Sequence, residues 1–316
     1  MKIGVIGNGF VGSAITEGFK LHCEELCVYD SAPEKATHTL EETAASDLIF
    51  ISVPTPMRDL QSRQADLSIL HSVFSELNTL ECKAVLIIKS TVPVGTTAEI
   101  QRKYTNLKIC HSPEFLTARK AKIDFITPSR NIVGYTNNKA AAELLRDLYE
   151  KRFPGTSCLV MSSSESEMVK YIANCFFATK VSFFNEMYLL AQKLDLNWQS
   201  LLEGVLSDGR IGVSHYDVPG HDGDFGFGGT CFPKDINALI NLMKDNGIDP
   251  HVLEGAWKQN TRVRKNKDWE TNPSALSIEE IEKHKRLISE GWEKTEDGYF
   301  HPQYGTDLSG CGHDYI

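Results

Sequence analysis

The first thirty residues, MKIGVIGNGFVGSAITEGFKLHCEELCVYD, leave little freedom in how this chain begins to fold. An apolar run, IGVIG, leads into GNGFVG, and a helically spaced segment, SAITEGFKL, follows at once. A second apolar run, LCVYD, closes on an acid, Asp30. Strand, tight turn, helix and second strand is the order that builds parallel sheet. Each glycine has a task in it. Gly7 permits the turn, Gly9 lets a ligand approach the backbone, and Gly12 lets helix and strand pack closely. The helix N-terminus presents unpaired N–H groups to a pyrophosphate, and an acid about twenty positions on accepts hydrogen bonds from a ribose. The segment predicts a dinucleotide site over Gly7, Asn8, Gly9, Phe10, Val11 and Gly12, with Asp30 on the adenosine ribose. Asp30, rather than an arginine, favours NAD over NADP, and the basic Lys35 is a further candidate contact.

Alternation continues through DLIFISVP (47–54), AVLIIKST (84–91), NLKICHSP (106–113) and RNIVGY (130–135), with a helical DLSILHSVFSEL after the first. That pattern predicts an α/β fold: a Rossmann-like, doubly wound, mostly parallel sheet covered on both faces. Ligands of such sheets bind beyond the carboxyl ends of the strands. The polar ends SVPTP, KSTVP and HSPEF are therefore expected to face the cofactor, with Val53, Pro54, Thr55, Ser90 and Thr91 as contacts.

A length of 316 residues allows about two domains. A net charge of −9 argues against a general nucleic-acid binder, so an anionic ligand needs a local site. The chain opens directly as a strand, without a leading basic and apolar segment, and no apolar run is long enough to span a bilayer. The eight cysteines are dispersed, as expected of reduced thiols in a cytoplasmic enzyme. CEELC (23–27) has no second pair to complete a metal site, and Cys311 with His313 is equally weak, so no metal is expected.

From Ser163 the chain runs about thirty residues without proline or glycine, which predicts one long helix with its serines and Glu165 as caps. Most of its aromatic and aliphatic residues are expected in the core. Lys170 and Asn174 lie four apart, hence on one face. Then comes SDGRIGVSHYDVPGHDGDFGFGGTCFPKD, too long and glycine-rich for a mere connector. A helix should start at about Phe232 or Pro233. Cys231 would sit at its N-terminus, where the dipole and a nearby lysine favour thiolate, with Asp235 one turn on.

These segments together resemble the UDP-glucose/GDP-mannose dehydrogenase family, which oxidises nucleotide sugars to uronates. GNGFVG, SVPTP, KSTVPVGT, SPEFL, EMVKYIANCFFATKVSFFNE, DGRIG and GFGGTCFPKD occur in the family's order over residues 1 to about 265. The resemblance implies NAD-dependent oxidation of a primary alcohol, through an aldehyde, to an acid, with UDP-glucose or a close relative as substrate. It implies that Cys231 captures the aldehyde as a thiohemiacetal and carries the thioester that follows. Lys170 and Asn174 would stabilise the oxyanion. Asp235 would assist proton transfer through a water positioned by Thr91, and Glu114 would help hydrolyse the thioester. Glu114, Phe115, Leu116, Lys170, Asn174 and Gly228 would contact the sugar nucleotide, the loop glycines letting it lie against the backbone. Arg210 would reach the partner's substrate across a homodimer interface that includes the helix of PHVLEGAWKQNTRVRKN.

The family's pattern is not complete here. Ala118 stands where the family carries an acid, and its third, C-terminal α/β domain is expected to be absent. The expected domains are 1–160, the NAD-binding domain; 161–267, a helical central domain with the cysteine loop and dimerisation helix; and 268–316, a short α+β tail. In that tail SIEEIEKHKRLISEG reads as a helix with a Ser277–Glu280 capping box and Gly291 as C-cap. WEKTEDGYFHPQYG reads as a hairpin turning at Asp297–Gly298. Its aromatics, Trp292, Tyr299, Phe300 and Tyr304, are read as a small core in preference to a stack on a nucleobase. Two alternatives remain open at this stage. A β-hydroxyacid dehydrogenase would share the cofactor domain and the Lys/Asn helix face but lack a cysteine in a GFGG loop. A non-catalytic scaffold binding NAD or a nucleotide sugar would explain Ala118, but not the retention of Cys231, Lys170, Asn174, Asp235, Glu114 and Thr91 together.

Overall fold

The computed structural model describes residues 1–295, 298–303 and 306–307. The chain divides into two compact units, Met1–Thr55 with Leu67–Ala173, and Pro56–Asp66 with Asn174–Ile316.

The first unit is a seven-stranded sheet in the order β2-β1-β3-β4-β5-β6-β7. Its strands are β1 (Lys2–Ile6), β2 (Glu25–Tyr29), β3 (Leu48–Ile51), β4 (Val85–Ile88), β5 (Lys108–His111), β6 (Asn131–Tyr135) and β7 (Cys158–Ser162). Helices α1 (Phe10–Phe19), α2 (Leu40–Ala44), α3 (Ser68–Thr79), α4 (Thr96–Lys103), α5 (Ala121–Ile126) and α6 (Lys139–Arg152) connect them. All pairings are parallel except β5 with β6. The chain moves from β1 to β2 on one side and returns to place β3 on the other, so the crevice where strand order reverses lies at the end of β1, beside the glycine loop. Alternate strand residues feed two cores. Ile3, Val5, Phe50 and Ile87 pack on one face, and Ile49, Ile51, Leu86 and Ile88 on the other, which is why these strands read as continuous apolar runs.

One strand is the antiparallel exception that a mostly parallel sheet allows, and one was not foreseen. RNIVGY is a strand but runs antiparallel to β5, since the connection between them needs no crossover. β7 was not foreseen. As an edge strand with Leu159 and Val160 exposed, SCLVMS lacks the buried pattern that marks its neighbours.

The helix α7 (Ser163–Lys193) starts in the first unit and ends in the second. Its expected cap is present: Ser162 Oγ accepts from Glu165 N, and Glu165 Oε2 accepts from Ser162 N. The expectation that its apolar residues are core fails on one stripe. Phe176, Phe183 and Leu190, spaced by seven, are each more than half exposed. A helix that carries apolar residues on several faces has too weak a periodic signal to tell the covered stripe from the uncovered one.

The second unit continues with α8 (Trp198–Leu206), α9 (Cys231–Asp245), α10 (His251–Val263) and α11 (Ile278–Ser289). Its segment 56–66 is tied to the later chain: Met57 N donates to Ala275 O, and Ser277 N donates to Met57 O. Met57, Trp269, Ala275, Leu276 and Ile281 form a small core there. Ser277 caps α11 by accepting from Glu280 N, while the Glu280 carboxylate pairs with Lys283, so half of the expected box forms. Gly291 adopts φ +91° and ends the helix as expected. β8 (Glu293–Lys294) and β9 (Tyr299–His301) form the hairpin, and β10 (Thr306–Asp307) pairs with β9. Tyr299 is buried with its hydroxyl 2.6 Å from His284 Nδ1, which favours the small-core reading. Asp297, Tyr304, Cys311 and His313 lie outside the described residues. No helix among the described residues is long and apolar enough to cross a membrane. Among the described residues, Cys23, Cys27, Cys82, Cys110, Cys158, Cys175 and Cys231 form no disulfide.

The tightest backbone approach is at Gly12, where a Cβ would stand 1.9 Å from the Gly7 carbonyl oxygen. Gly12→Ala is expected to destabilise the chain by about 3 kcal/mol, read as a lowered urea midpoint, because the contact is with backbone and cannot relax by rotamer change.

Candidate active site

The glycine loop at the end of β1 has the features a dinucleotide needs. Gly7 sits at φ +86°, with Ser52 O only 2.7 Å from where a Cβ would be. Gly9 has no atom within 4 Å of that point, so its small size serves approach from outside rather than internal packing. Asp30 accepts from Asn8 N (2.6 Å) and Ala32 N (2.9 Å), which fixes the carboxylate at the end of β2 and leaves lone pairs for a ribose. Asn8 Nδ2 donates to Lys35 O, so the structure ties the loop to the backbone of Lys35. Asn8 Oδ1 is a buried acceptor with no partner, which suits a donor on a ligand. Phe10 and Val11 begin α1, with Phe10 exposed and Val11 packed on the core. These residues fit NAD.

The polar strand ends are cross-tied. Ser90 Oγ donates to Val53 O (2.6 Å), and Thr55 Oγ1 donates to Thr91 O (2.7 Å). Pro54 lies between these ties, exposed. Farther along, Gly95 adopts φ +98° at the start of α4 and has no side-chain cap of its own. Glu167 of α7 supplies it, accepting from Gly95 N, Thr97 N and Thr97 Oγ1.

Glu114 and Lys170 meet in the first unit. Lys170 Nζ donates to Glu114 Oε1 (2.8 Å) and to the Glu114 carbonyl (2.7 Å), and both side chains are buried. Glu114 Oε2 accepts from Leu116 N, and Arg130 lies over the Phe115 ring at 3.9 Å. A third charged group, which the sequence reading passed over, is Lys89. It is 5% exposed, and its Nζ contacts Ser112 Oγ, Pro113 O and Tyr149 OH. Burial, opposed by Glu114 and reinforced by Lys170, lowers its pKa to about 7. Beside it, burial pushes His111 down to about 3, so this ring is neutral; its Nδ1 pairs with Ser166 Oγ. Lys89, Glu114, Phe115 and Arg130 border a cavity of about 290 Å³. Ala118 begins an exposed turn of 3₁₀ helix, Ala118–Lys120.

In the second unit Cys231 is itself the first residue of α9, slightly earlier than expected, with Thr230 as N-cap and Thr230 Oγ1 3.7 Å from its sulfur. Asp235 is fully buried. Its carboxylate takes Asn174 Nδ2 on one oxygen and Lys234 Nζ on the other, each at 2.5 Å. The loop before Cys231 is held by side chains the sequence reading did not single out. Asn185 Oδ1 accepts from Gly226 N, while Asn260 both accepts from Phe227 N (2.7 Å) and donates to Phe227 O (3.0 Å). Asp268 accepts from Gly229 N. A Cβ on Gly228 would stand 2.2 Å from the Arg264 guanidinium, which is itself buried and paired with Asp222. The loop glycines thus have an internal packing reason in addition to any approach by a sugar. Arg210 is exposed and, among the described residues, pairs with its near neighbour Asp208.

Glu25, Cys27 and His38 bring three ligand-type atoms within 4.8 Å of one another, but Lys2 Nζ stands 3.3 Å from Glu25 Oε1 and supplies positive charge there.

A doubly wound sheet with a fitted dinucleotide loop, followed by a helical unit, defines a dinucleotide-dependent enzyme architecture. Residues 28–153 match the NAD binding domain of the UDP-glucose/GDP-mannose dehydrogenase family, and residues 164–262 match its central domain. The UDP-glucose 6-dehydrogenase of Rickettsia prowazekii (strain Madrid E) is 34% identical over 297 residues, covering 82% of this chain and 67% of that protein. A UDP-glucose dehydrogenase structure from the hyperthermophilic archaeon Pyrobaculum islandicum superposes with a TM-score of 0.73 at 29% identity, covering 83% of this chain and 68% of the other. The 3-hydroxyisobutyrate dehydrogenase of Mycobacterium tuberculosis shares the fold, with a TM-score of 0.65 at 16% identity over 83% of this chain and 92% of the other. The chain belongs to the UDP-glucose/GDP-mannose dehydrogenase family, and NAD is its cofactor. It spans about two-thirds of the length of the first relatives it matches.

Asn260→Ala is expected to destabilise the chain by about 2–3 kcal/mol in urea denaturation, because it strips partners from the buried N–H and C=O of Phe227 at once.

Proposed function

We propose that the chain is an NAD-dependent nucleotide-sugar 6-dehydrogenase of the UDP-glucose to UDP-glucuronate type, with Cys231 as nucleophile. The observation that carries this reading is Cys231 at the first position of α9, behind a glycine loop clamped by the side chains of Asn185, Asn260 and Asp268. A helix N-terminus favours thiolate, and a clamped loop holds the sulfur in one place. NAD, when bound, accepts two hydrides in succession.

Cys231 adds to the aldehyde as a thiohemiacetal and is acylated when the second hydride leaves. Lys170 and Asn174 donate to the oxygen on which charge develops. Asp235 takes protons through a water that Thr91 orients. In the release step the water oxygen bonds to the acyl carbon, its proton passes to Glu114, and the C–S bond breaks to return the thiolate. Phe115, Leu116 and Gly228 line the substrate. Domains of 1–160 and 161–267 with a tail at 268–316, and a cytoplasmic location, belong to the same proposal. So does a homodimer, with Arg210 serving the partner's substrate. The exposed Phe176, Phe183 and Leu190 stripe supports it, since an uncovered apolar helix face suits burial against a second copy. A β-hydroxyacid dehydrogenase is disfavoured because it has no use for Cys231 in this loop.

With UDP-glucose and NAD, the wild type is expected to form two NADH per sugar. Cys231→Ser should lose uronate formation by at least about a thousandfold. Uronate formation by Cys231→Ser at the wild-type rate would overturn the reading, and turnover of small hydroxyacids alone would favour the β-hydroxyacid class.

A further inference from the structure

Two ammonium groups reach the SPEFL segment in the first unit. Lys170 takes the carbonyl and carboxylate of Glu114; Lys89, just beyond the end of β4, takes the preceding carbonyl, that of Pro113, at 3.2 Å and Ser112 Oγ at 3.3 Å. Pro113 has no N–H to hold its own position, so its carbonyl is the one backbone handle there. Ser112 Oγ and Tyr149 OH, 2.9 Å apart, complete the surround of Lys89. Among the described residues no carboxylate stands within ion-pair distance of Lys89, and that of Glu114 is engaged by Lys170. A buried cation without a paired anion is expensive, and the same packing could be had from a methionine.

We propose that Lys89 is a positioning residue for Glu114: it holds the Ser112–Glu114 backbone and sets the charge balance around that carboxylate. This rests on the reading of Glu114 as the group that accepts the proton of the attacking water. The ionisable groups around Lys89 are Glu114, His111, Tyr149 and Lys170, from the end of β5, α6 and α7. Of these, His111 is neutral, Lys170 is cationic and repels, and Glu114 is the group whose charge favours the protonated amine. The coupling is reciprocal: protonated Lys89 favours ionised Glu114 as much as Glu114 favours protonated Lys89.

The test has two arms. In the kinetic arm, Lys89→Met is expected to lower kcat for uronate formation on the order of tenfold, with the affinity for NAD unchanged. It should also move the acid limb of the kcat profile to higher pH, and Lys89→Arg should recover most of both. Loss of NAD affinity in parallel with kcat, or no shift of the limb, would mean a merely structural lysine and overturn the proposal. The second arm does not need turnover. Nitrogen-15 NMR of the lysine ammonium, assigned by its loss in Lys89→Arg, should give a midpoint near 7 in the wild type, as burial and Lys170 dictate. Glu114→Gln should move it lower. An unmoved midpoint would overturn the coupling. Absence of turnover by the wild type on nucleotide sugars, with the midpoint still sensitive to Glu114→Gln, would instead count against the reading of the reaction.

Discussion

Three side chains within two turns of α7 hold the polar ends of the sheet. Ser166 Oγ pairs with the buried His111, Glu167 caps α4 through Gly95 and Thr97, and Lys170 binds the carbonyl and carboxylate of Glu114. Each partner lies at or just beyond the carboxyl end of β4 or β5, where backbone groups leave the sheet ladder and need new partners. Had α7 begun one residue later, all three would have rotated by about 100° off these targets. The capping pair Ser162–Glu165 that starts the helix therefore sets the register of the charged cluster.

That cluster places more charge in the interior than stability asks for. Lys89, Glu114 and Lys170 are all buried, and of the two ammonium groups only that of Lys170 is paired with the Glu114 carboxylate. Replacing such groups by apolar ones of the same size is often neutral or stabilising, so their presence supports the chemistry proposed for this site. The second unit has its own version. Asp235 is fully buried between Asn174 and Lys234, and the glycine loop ahead of Cys231 is held by Asn185, Asn260 and Asp268 through backbone N–H groups. Loops are ordinarily the least stable parts of a fold. This one is fastened by the buried amides of Asn185 and Asn260 and by the partly exposed carboxylate of Asp268, which suits the role proposed for Cys231.

The strands β1 to β6 of the first unit were legible because burial on both faces writes continuous apolar runs, and α1 and α3 from their helical spacing; the shorter or more polar α2, α4, α5 and α6 were not read. β7 was missed for the opposite reason: an edge strand with Leu159 and Val160 exposed has no such imprint. On α7 apolar residues occur on several faces, so the exposure of Phe176, Phe183 and Leu190 emerged only once the other elements had taken their places. Among candidate site residues, those in family segments were named one by one from the sequence. Lys89 sits in one of those segments as well, yet it passed as a strand end, because a lysine in KSTVP looks like a surface residue until its burial is known.

What the chain alone determined is local. The glycines of GNGFVG, the acid at Asp30, the proline-free run from Ser163 and the cysteine after GFGG each act through backbone geometry or periodicity over a few residues. Tertiary structure decided the pairings: Lys170 with Glu114, Asn174 with Asp235, Glu167 with the start of α4, Asn260 with Phe227. These partners are far apart in the chain, and nothing in the spacing of a lysine and a glutamate says which will meet. Desolvation makes the choice, because a charge or amide taken out of water must find a partner among the groups that the packing of strands and helices has already brought near.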